Sequence, residues 1–338
     1  MKLLTSSGII LAIILFLCNL AFGSVNIPID QVAKVLMGQD ADKASWTFII
    51  MQSRLPQALT AILCGASLAA SGLMLQTFFH NPLAGPSVLG ISNGASLGVA
   101  IVMLSIGSAM GASGEMGTGL HFGSSMSVIV GAFAGAVAII MLYLLVTNFI
   151  KNNLVILILG IMVGYLSSSA VTLLNFFATV ENVHSYVSWG MGSFSNVSIA
   201  QLPIMGGIAL VGLTMAVLMT KSFNLLQLGD SYALNLGVNL NRVRTMMLLS
   251  VGILTAVTTA FCGPVSFIGL AVPHIARLIT RTSDQHILMP STMLLGAIIA
   301  MLCNIICVLP HNMIIPLNAV TPVFGAPVII YIILKRRF

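Results

Sequence analysis

Few residues in this 338-residue sequence could carry out covalent chemistry. Gly90-Ile91-Ser92-Asn93-Gly94 fits the GxSxG pattern of a serine nucleophile, and His274 could serve as its base in an intramembrane serine peptidase. That elbow needs a strand ahead of the serine and none precedes it; in a segment this rich in glycine and serine, helix packing explains the match. The acids are Asp30, Asp40, Asp42, Glu115, Glu181, Asp230 and Asp284. All lie outside the long apolar segments, where an ion-coupled carrier keeps a carboxylate or histidine to relay its ion. Only His274 and Arg277 are ionisable at depth. A secondary transporter is thus disfavoured, although a sodium site built from carbonyl oxygens would escape this test. No Gly-Lys pair occurs, so the phosphate-cradling GxxxxGK[ST] loop is absent and a nucleotide-driven device would hold its nucleotide in another chain. Cys18, Cys64, Cys262, Cys303 and Cys307 form no CxxC, and His121, His184, His286 and His311 have no ligand spacing. No catalytic residue and no metal site are expected.

What remains is polar chemistry without bond-making. Tyr165, Ser168, Thr172, Asn175 and Thr179 fall at helical spacing on one face of an apolar segment. A polar face in lipid must meet protein or water, so it either bonds a neighbouring helix or lines a pathway. His80-Asn81-Pro82-Leu83-Ala84-Gly85-Pro86 reads as a rigid turn, fixed by two prolines and by Asn81 bonding the backbone; contact with a partner is the other reading. The passage from Lys221 to Arg244 is the one long polar stretch between greasy segments. Leu225, Leu228, Tyr232 and Leu236 recur through it at roughly helical spacing, and Gly229 and Gly237 divide it into two short helices. Asp230 or Ser231 is placed to cap the second. The passage reads as a docking surface for a soluble partner.

The elements that position these residues follow from composition. The chain is 58% hydrophobic and 6% charged, with a mean hydropathy of +1.08. Soluble domains average about 45–50% apolar and about 25% charged. The fold class is therefore an all-α polytopic membrane protein, one domain over residues 1–338. A crossing helix needs about 20 apolar residues. Ten segments qualify: Leu3–Phe22, Leu55–Phe79, Ser87–Ile106, Met126–Ile150, Leu154–Val180, Leu202–Thr220, Thr245–Cys262, Phe267–Ile279, Pro290–Leu309 and Asn318–Leu334. The first, of about 20 residues, is longer than a signal-peptide core and reads as a retained span despite Ala21-Phe22-Gly23. With the N-terminus inside, ten of the 13 Lys and Arg are cytoplasmic, the outside ones being Lys34, Lys43 and Arg54. This positive-inside bias places both termini in the cytoplasm, and the net charge of +6 records topology; no nucleic acid is expected. Ile29–Met37 reads as a short amphipathic surface helix, Gly107–Ser125 as a loose loop, and Tyr186 and Trp189 as interfacial. Gly90, Gly94 and Gly98, Gly131 and Gly135, and Gly160 and Gly164 are spaced for close helix approach.

A series of motifs runs from about residue 50 to the C-terminus. It comprises Arg54-Leu-Pro, Gly65-Ala-Ser-Leu-Ala-Ala-Ser-Gly72, Gln76, Asn81-Pro-Leu-Ala84 and Leu89-Gly-Ile-Ser-Asn-Gly-Ala95. It continues with Leu228-Gly-Asp, Ala233, Leu236-Gly237, Gly263-Pro, Phe267-Ile-Gly-Leu-Ala-Val-Pro-His-Ile-Ala-Arg277 and Gly325-Ala-Pro327. In this order the motifs resemble the iron-chelate and cobalamin permease family (FecCD type), the transmembrane subunits of type II ABC importers. The resemblance implies a homodimer of ten-helix subunits in the cytoplasmic (inner) membrane. It implies two cytoplasmic ABC ATPases, which hold ATP and Mg while this chain carries no cofactor, and an extracytoplasmic substrate-binding protein. It assigns ATPase coupling to Leu228, Gly229, Asp230, Ala233, Leu236 and Gly237, and a pathway between the two subunits to Tyr165, Ser168, Thr172, Asn175 and Thr179. It further places an inner gate at Asn152 and Asn153 and binding-protein docking at Arg54, with Asn81 and Pro82 as a structural turn. Gln57, Asn304, Ile314 and Asn318 depart from the pattern, where an arginine, an aspartate, a glutamate and a glycine are usual.

Overall fold

Helix is the only regular structure among the described residues of the computed structural model, which are 2–23, 25, 27–106, 121–146, 149, 153–309 and 315–335. Hydrocarbon offers the backbone no hydrogen-bond partner, and a helix satisfies its own amides. The helices are α1 (Lys2–Ala21), α2 (Ile29–Leu36), α3 (Ala44–Ile49), α4 (Leu55–Phe78), α5 (Ile91–Ala100), α6 (His121–Val146), α7 (Asn153–Phe177) and α8 (Val180–Gly190). They continue as α9 (Leu202–Leu218), α10 (Thr220–Leu226), α11 (Asp230–Asn235), α12 (Leu240–Cys262), α13 (Ile268–Thr280), α14 (Gln285–Val308) and α15 (Leu317–Lys335).

Five stretches are long and apolar enough to cross a membrane: Ala44–Phe78, Met126–Val146, Leu154–Phe177, Leu240–Cys262 and Gln285–Val308. A sixth forms if α9 and α10, bent by 46° to each other, count together. Ser6–Ala21, Ile91–Leu104, Ile268–Thr280 and Leu317–Tyr331 are shorter apolar helices. Every segment picked from the sequence falls on one of these, with shifted edges. The second begins at Ala44, because a π-helical stretch, Ile50–Arg54, joins α3 to α4. The third is broken: Pro86–Leu89 is a 3₁₀ turn, Gly90 takes φ 69°, and α5 runs into a π-helical end at Ile101–Ile106. Most of the Gly107–Ser125 loop lies outside the described residues, and α6 begins at His121.

α4 and α12 form the buried centre. α14 crosses α4 where Gly65 meets Gly296; a Cβ on either would collide with the other's carbonyl. A Cβ on Gly72 would collide with the Gly269 carbonyl of α13, and one on Gly269 with Pro86 and the Leu68 carbonyl, while Gly94 and Gly98 of α5 interlock with Gly131 and Gly135 of α6. Small residues give backbones this approach, which supplies the dispersion that lipid cannot. α6 and α7 are mostly exposed on their outer sides, with Leu145, Leu154, Leu166, Phe176 and Phe177 uncovered.

Contacts sort the turns into two ends. Residues 79–86, 219–239 and 281–285 meet at one end through His80–Asp230 and Asn224–Asp284 contacts. At the other, Ser193 bonds Cys262 and Asn318 bonds Met191 through the backbone.

Candidate functional site

The passage after α9 folds as two short helices separated by a turn. Gly229 takes φ 103° and stands at the N-terminus of α11; no side chain caps it, so neither Asp230 nor Ser231 plays that part. Gly237 takes φ 83°, and the Val238 amide reaches back to the Ala233 carbonyl at 3.0 Å, the left-handed closure that glycine permits. Ala233 is the buried residue of α11. Leu228, Tyr232, Leu234 and Leu236 point away, 54–67% exposed. Four large apolar side chains thus stand uncovered at the tip of a polar end.

This tip is tied to the bundle by side chains that no motif flagged. Asn224 of α10 donates to the Asp284 carboxylate at 2.7 Å and accepts from the Gln285 amide at 2.7 Å. Gln227 donates to the Ser283 carbonyl at 2.9 Å, and Thr220 lies 3.2 Å from His286 Nδ1. The Asn224 bond, then the His286 amide, hold the Asp284 carboxyl below its usual range. His80 Nε2 lies 3.8 Å from Asp230. Asp284, an oxygen-bearing residue just before an apolar helix, was the one signal available from sequence.

The Asn81–Pro82 turn is locked from two sides. Asn81 Oδ1 accepts the Leu83 amide at 2.9 Å, and the Pro82 carbonyl lies 2.7 Å from His274 Nε2. Arg277 donates to Gln76 Oε1 at 2.6 Å, and Gln76 donates to the Leu270 carbonyl at 3.1 Å. His274 and Arg277 therefore serve the joint between α4 and α13. With Gly90 at a helix start and Gly94 against Gly135, the GxSxG match is a packing feature. Arg244, at the end of the polar passage, is buried with its guanidinium 5.7 Å from the Phe78 ring centre.

The polar stripe of α7 lies on an open face. Tyr165 is 68% exposed; Ser168 and Thr172 are exposed and Asn175 is half-buried, whereas Thr179, expected on the same face, lies beyond the end of α7 in the extended residue that precedes α8. Thr172 donates back to the Ser168 carbonyl at 3.0 Å. A cavity of about 220 Å³ opens beside it, lined by Ser87, Asn93, Gly160, Gly164, Tyr165 and Ser168. Asn153 opens α7, and Asn152 lies outside the described residues.

Arg54 requires a correction. It is 5% exposed, and its guanidinium donates to the carbonyls of Leu20 and Ala21 at 2.7 Å and to that of Val25. It caps the end of α1 from within the chain, so its charge is not presented to a docking protein. Trp189, expected at the lipid interface, is buried. The departures at Gln57 and Asn304 meet each other: Gln57 donates to Asn304 at 2.9 Å, and Asn304 donates to Asn19 at 2.7 Å. Asn318 joins three segments, accepting from Ser266 and donating to Gly190 and Pro264. Ile314 lies outside the described residues.

Comparison with known proteins agrees with this architecture. The hemin transport system permease protein HmuU of Yersinia pestis is 32% identical over 96% of this chain and 95% of its own length. The vitamin B12 import system permease protein BtuC of Citrobacter koseri is 34% identical over 85% of this chain and 83% of its own. A solved structure described as the inward-facing conformation of an ABC transporter of metal-chelate type superposes with a TM-score of 0.82 at 27% identity, over 99% of both chains. The model of the FecCD transport family matches residues 11–335, and the chain belongs to that family.

Proposed function

We propose that this chain is the membrane-spanning permease subunit of an ATP-driven importer for an iron chelate (siderophore or haem) or cobalamin. The observation that carries the reading is the uncovered apolar tip of α11, held to the bundle by bonded side chains at the basic end of a chain without a phosphate loop. Two cytoplasmic ABC ATPases, holding ATP and Mg, would bury Leu228, Tyr232 and Leu236. Their closure would push through Asn224 and Asp284 into α14, and through Asp230 and His80 into α4. A second copy would cover the α7 face, leaving Tyr165, Ser168, Thr172, Asn175 and Thr179 along the pathway between subunits, with Asn152 and Asn153 at its inner gate. The face carries no ionised group, so it would hold cargo weakly and leave selection to an extracytoplasmic binding protein. Both termini lie in the cytoplasm on the charge distribution, and the membrane is the cytoplasmic one.

The test is reconstitution in liposomes with and without the cognate ATPase and binding protein. ATP-dependent uptake of labelled haem, ferric siderophore or cobalamin is the expected result. Uptake driven by an ion gradient with the permease alone would reject the reading for an ion-coupled carrier.

A further inference from the structure

α2 and α3 belong to a second, smaller core, distinct from that of the bundle. Val32 and Val35 pack with Leu20, Ile27, Ile50 and Ala58, and Trp46 and Ile49 of α3 close one side. At helical spacing, Gln31, Val32 and Val35 take the buried arc of α2. Ile29, Leu36 and Met37 take the adjoining arc, and Asp30 and Lys34 the remainder. That adjoining arc is uncovered: Ile29 is 63% and Met37 79% exposed, as is Phe48 of α3 at 68%. Apolar side chains this exposed gain from leaving water, so in water this surface would be a standing loss. Charges gather beside it. Lys34 Nζ lies 3.0 Å from Asp42, Gln31 bonds both Asp30 and Asp42, and the Lys43 ammonium sits 4.9 Å from the Trp46 ring centre. α2 packs on α1, whose Ile10, Ile13 and Ile14 are more than half exposed and face lipid in a spanning helix.

We propose that residues 27–49 are seated in the membrane interface at the end opposite α11. Ile29, Leu36, Met37 and Phe48 enter the acyl boundary, and Lys34, Asp42 and Lys43 lie among the lipid headgroups. A helix with one flank on protein, one apolar flank open and a charged strip between them is shaped to lie in that plane. The occupant of the uncovered face is the lipid surface. α3 runs into α4 without a break, and Arg54 bonds the end of α1, so this foot sets the depth of the central helix.

The test uses the full chain in phosphatidylcholine–phosphatidylglycerol vesicles. The chain has two tryptophans, so Phe48→Trp in a Trp46→Phe, Trp189→Phe background puts one reporter on the uncovered face. Lipids brominated near the glycerol end of the acyl chain should remove most of its emission, with aqueous iodide several-fold less effective. Strong iodide quenching with no effect of brominated lipid overturns the proposal. So does iodide quenching that disappears only when a binding protein is added, which would assign the face to protein docking. If the triple variant fails to fold, the increment in bromine quenching from Phe48→Trp in the otherwise unchanged protein gives the same reading.

Discussion

The sharpest consequence of the α11 tip concerns Leu228 and Leu236, which are 59% and 58% exposed in the isolated subunit. Fully burying a leucine is worth about 1.5–3 kcal/mol, and about three-fifths of each side chain is still uncovered, so docking gains about 1–2 kcal/mol from each. Leu228→Ala with Leu236→Ala should therefore weaken ATPase binding by about 2–4 kcal/mol, on the order of thirty- to several-hundred-fold. The folded subunit should be untouched, because neither side chain belongs to its core. Titrating the detergent-purified permease with labelled ATPase reads the affinity, and thermal unfolding of the permease alone controls for fold. At ATPase concentrations near the original Kd, uptake should fall with occupancy, and excess ATPase should restore much of it. An affinity within about twofold of the original would refute the reasoning, since it would mean these side chains stay in water in the complex.

Gly229→Pro should uncouple ATP hydrolysis from uptake, because proline fixes φ near −65° where the turn requires 103°; uptake at the original rate would remove this turn from the mechanism. Ser92→Ala should leave transport unchanged, and loss of a peptide-cleaving activity on this substitution would revive the peptidase reading. Spin labels on α4 and α14 should keep their separation between nucleotide-free and ATP-bound complexes while labels on α4 and α7 change theirs. An unchanged α4–α7 distance would mean that the helices move together.

Composition and spacing made the helical fold legible, because lipid leaves few ways to satisfy a backbone. Segment edges were less so. The span read from the sequence starts at Leu55, after the polar Gln52, Ser53 and Arg54, yet the helix reaches back through them to Ala44, with the Arg54 guanidinium received by the α1 carbonyls. The same contact misled the functional reading, since a lone outer arginine looks available when its partners lie 33 and 34 residues away. The glycine ladder of α5 and α6 was visible as spacing, but not which rung meets which. Asn224 and Asp284 were missed for the same reason: they are 60 residues apart, and only the fold makes them neighbours. The sequence patterns that did locate α11 were local ones, glycines at the two positions where φ turns positive.

The support beneath α11 limits how a push can travel. Asn224 and Gln227 deliver it to the turn before α14, and Asp230 to the turn after α4. Those helices are locked together at Gly65 and Gly296, and α4 to α13 at Gly72 and Gly269, where backbones touch and no side chain can repack. α4, α13 and α14 therefore respond as one body, and the force must be released where packing is thinner. α7 is that place: it rests on α5 and on the Pro86–Leu89 turn, with its stripe face open. Both of those supports follow the Asn81–Pro82 corner, which His274 ties to α13. On the proposed reading, a shift of the locked body would reach the stripe face of α7 through a proline-fixed turn, so that a face with no ionised residue would be worked from its far end.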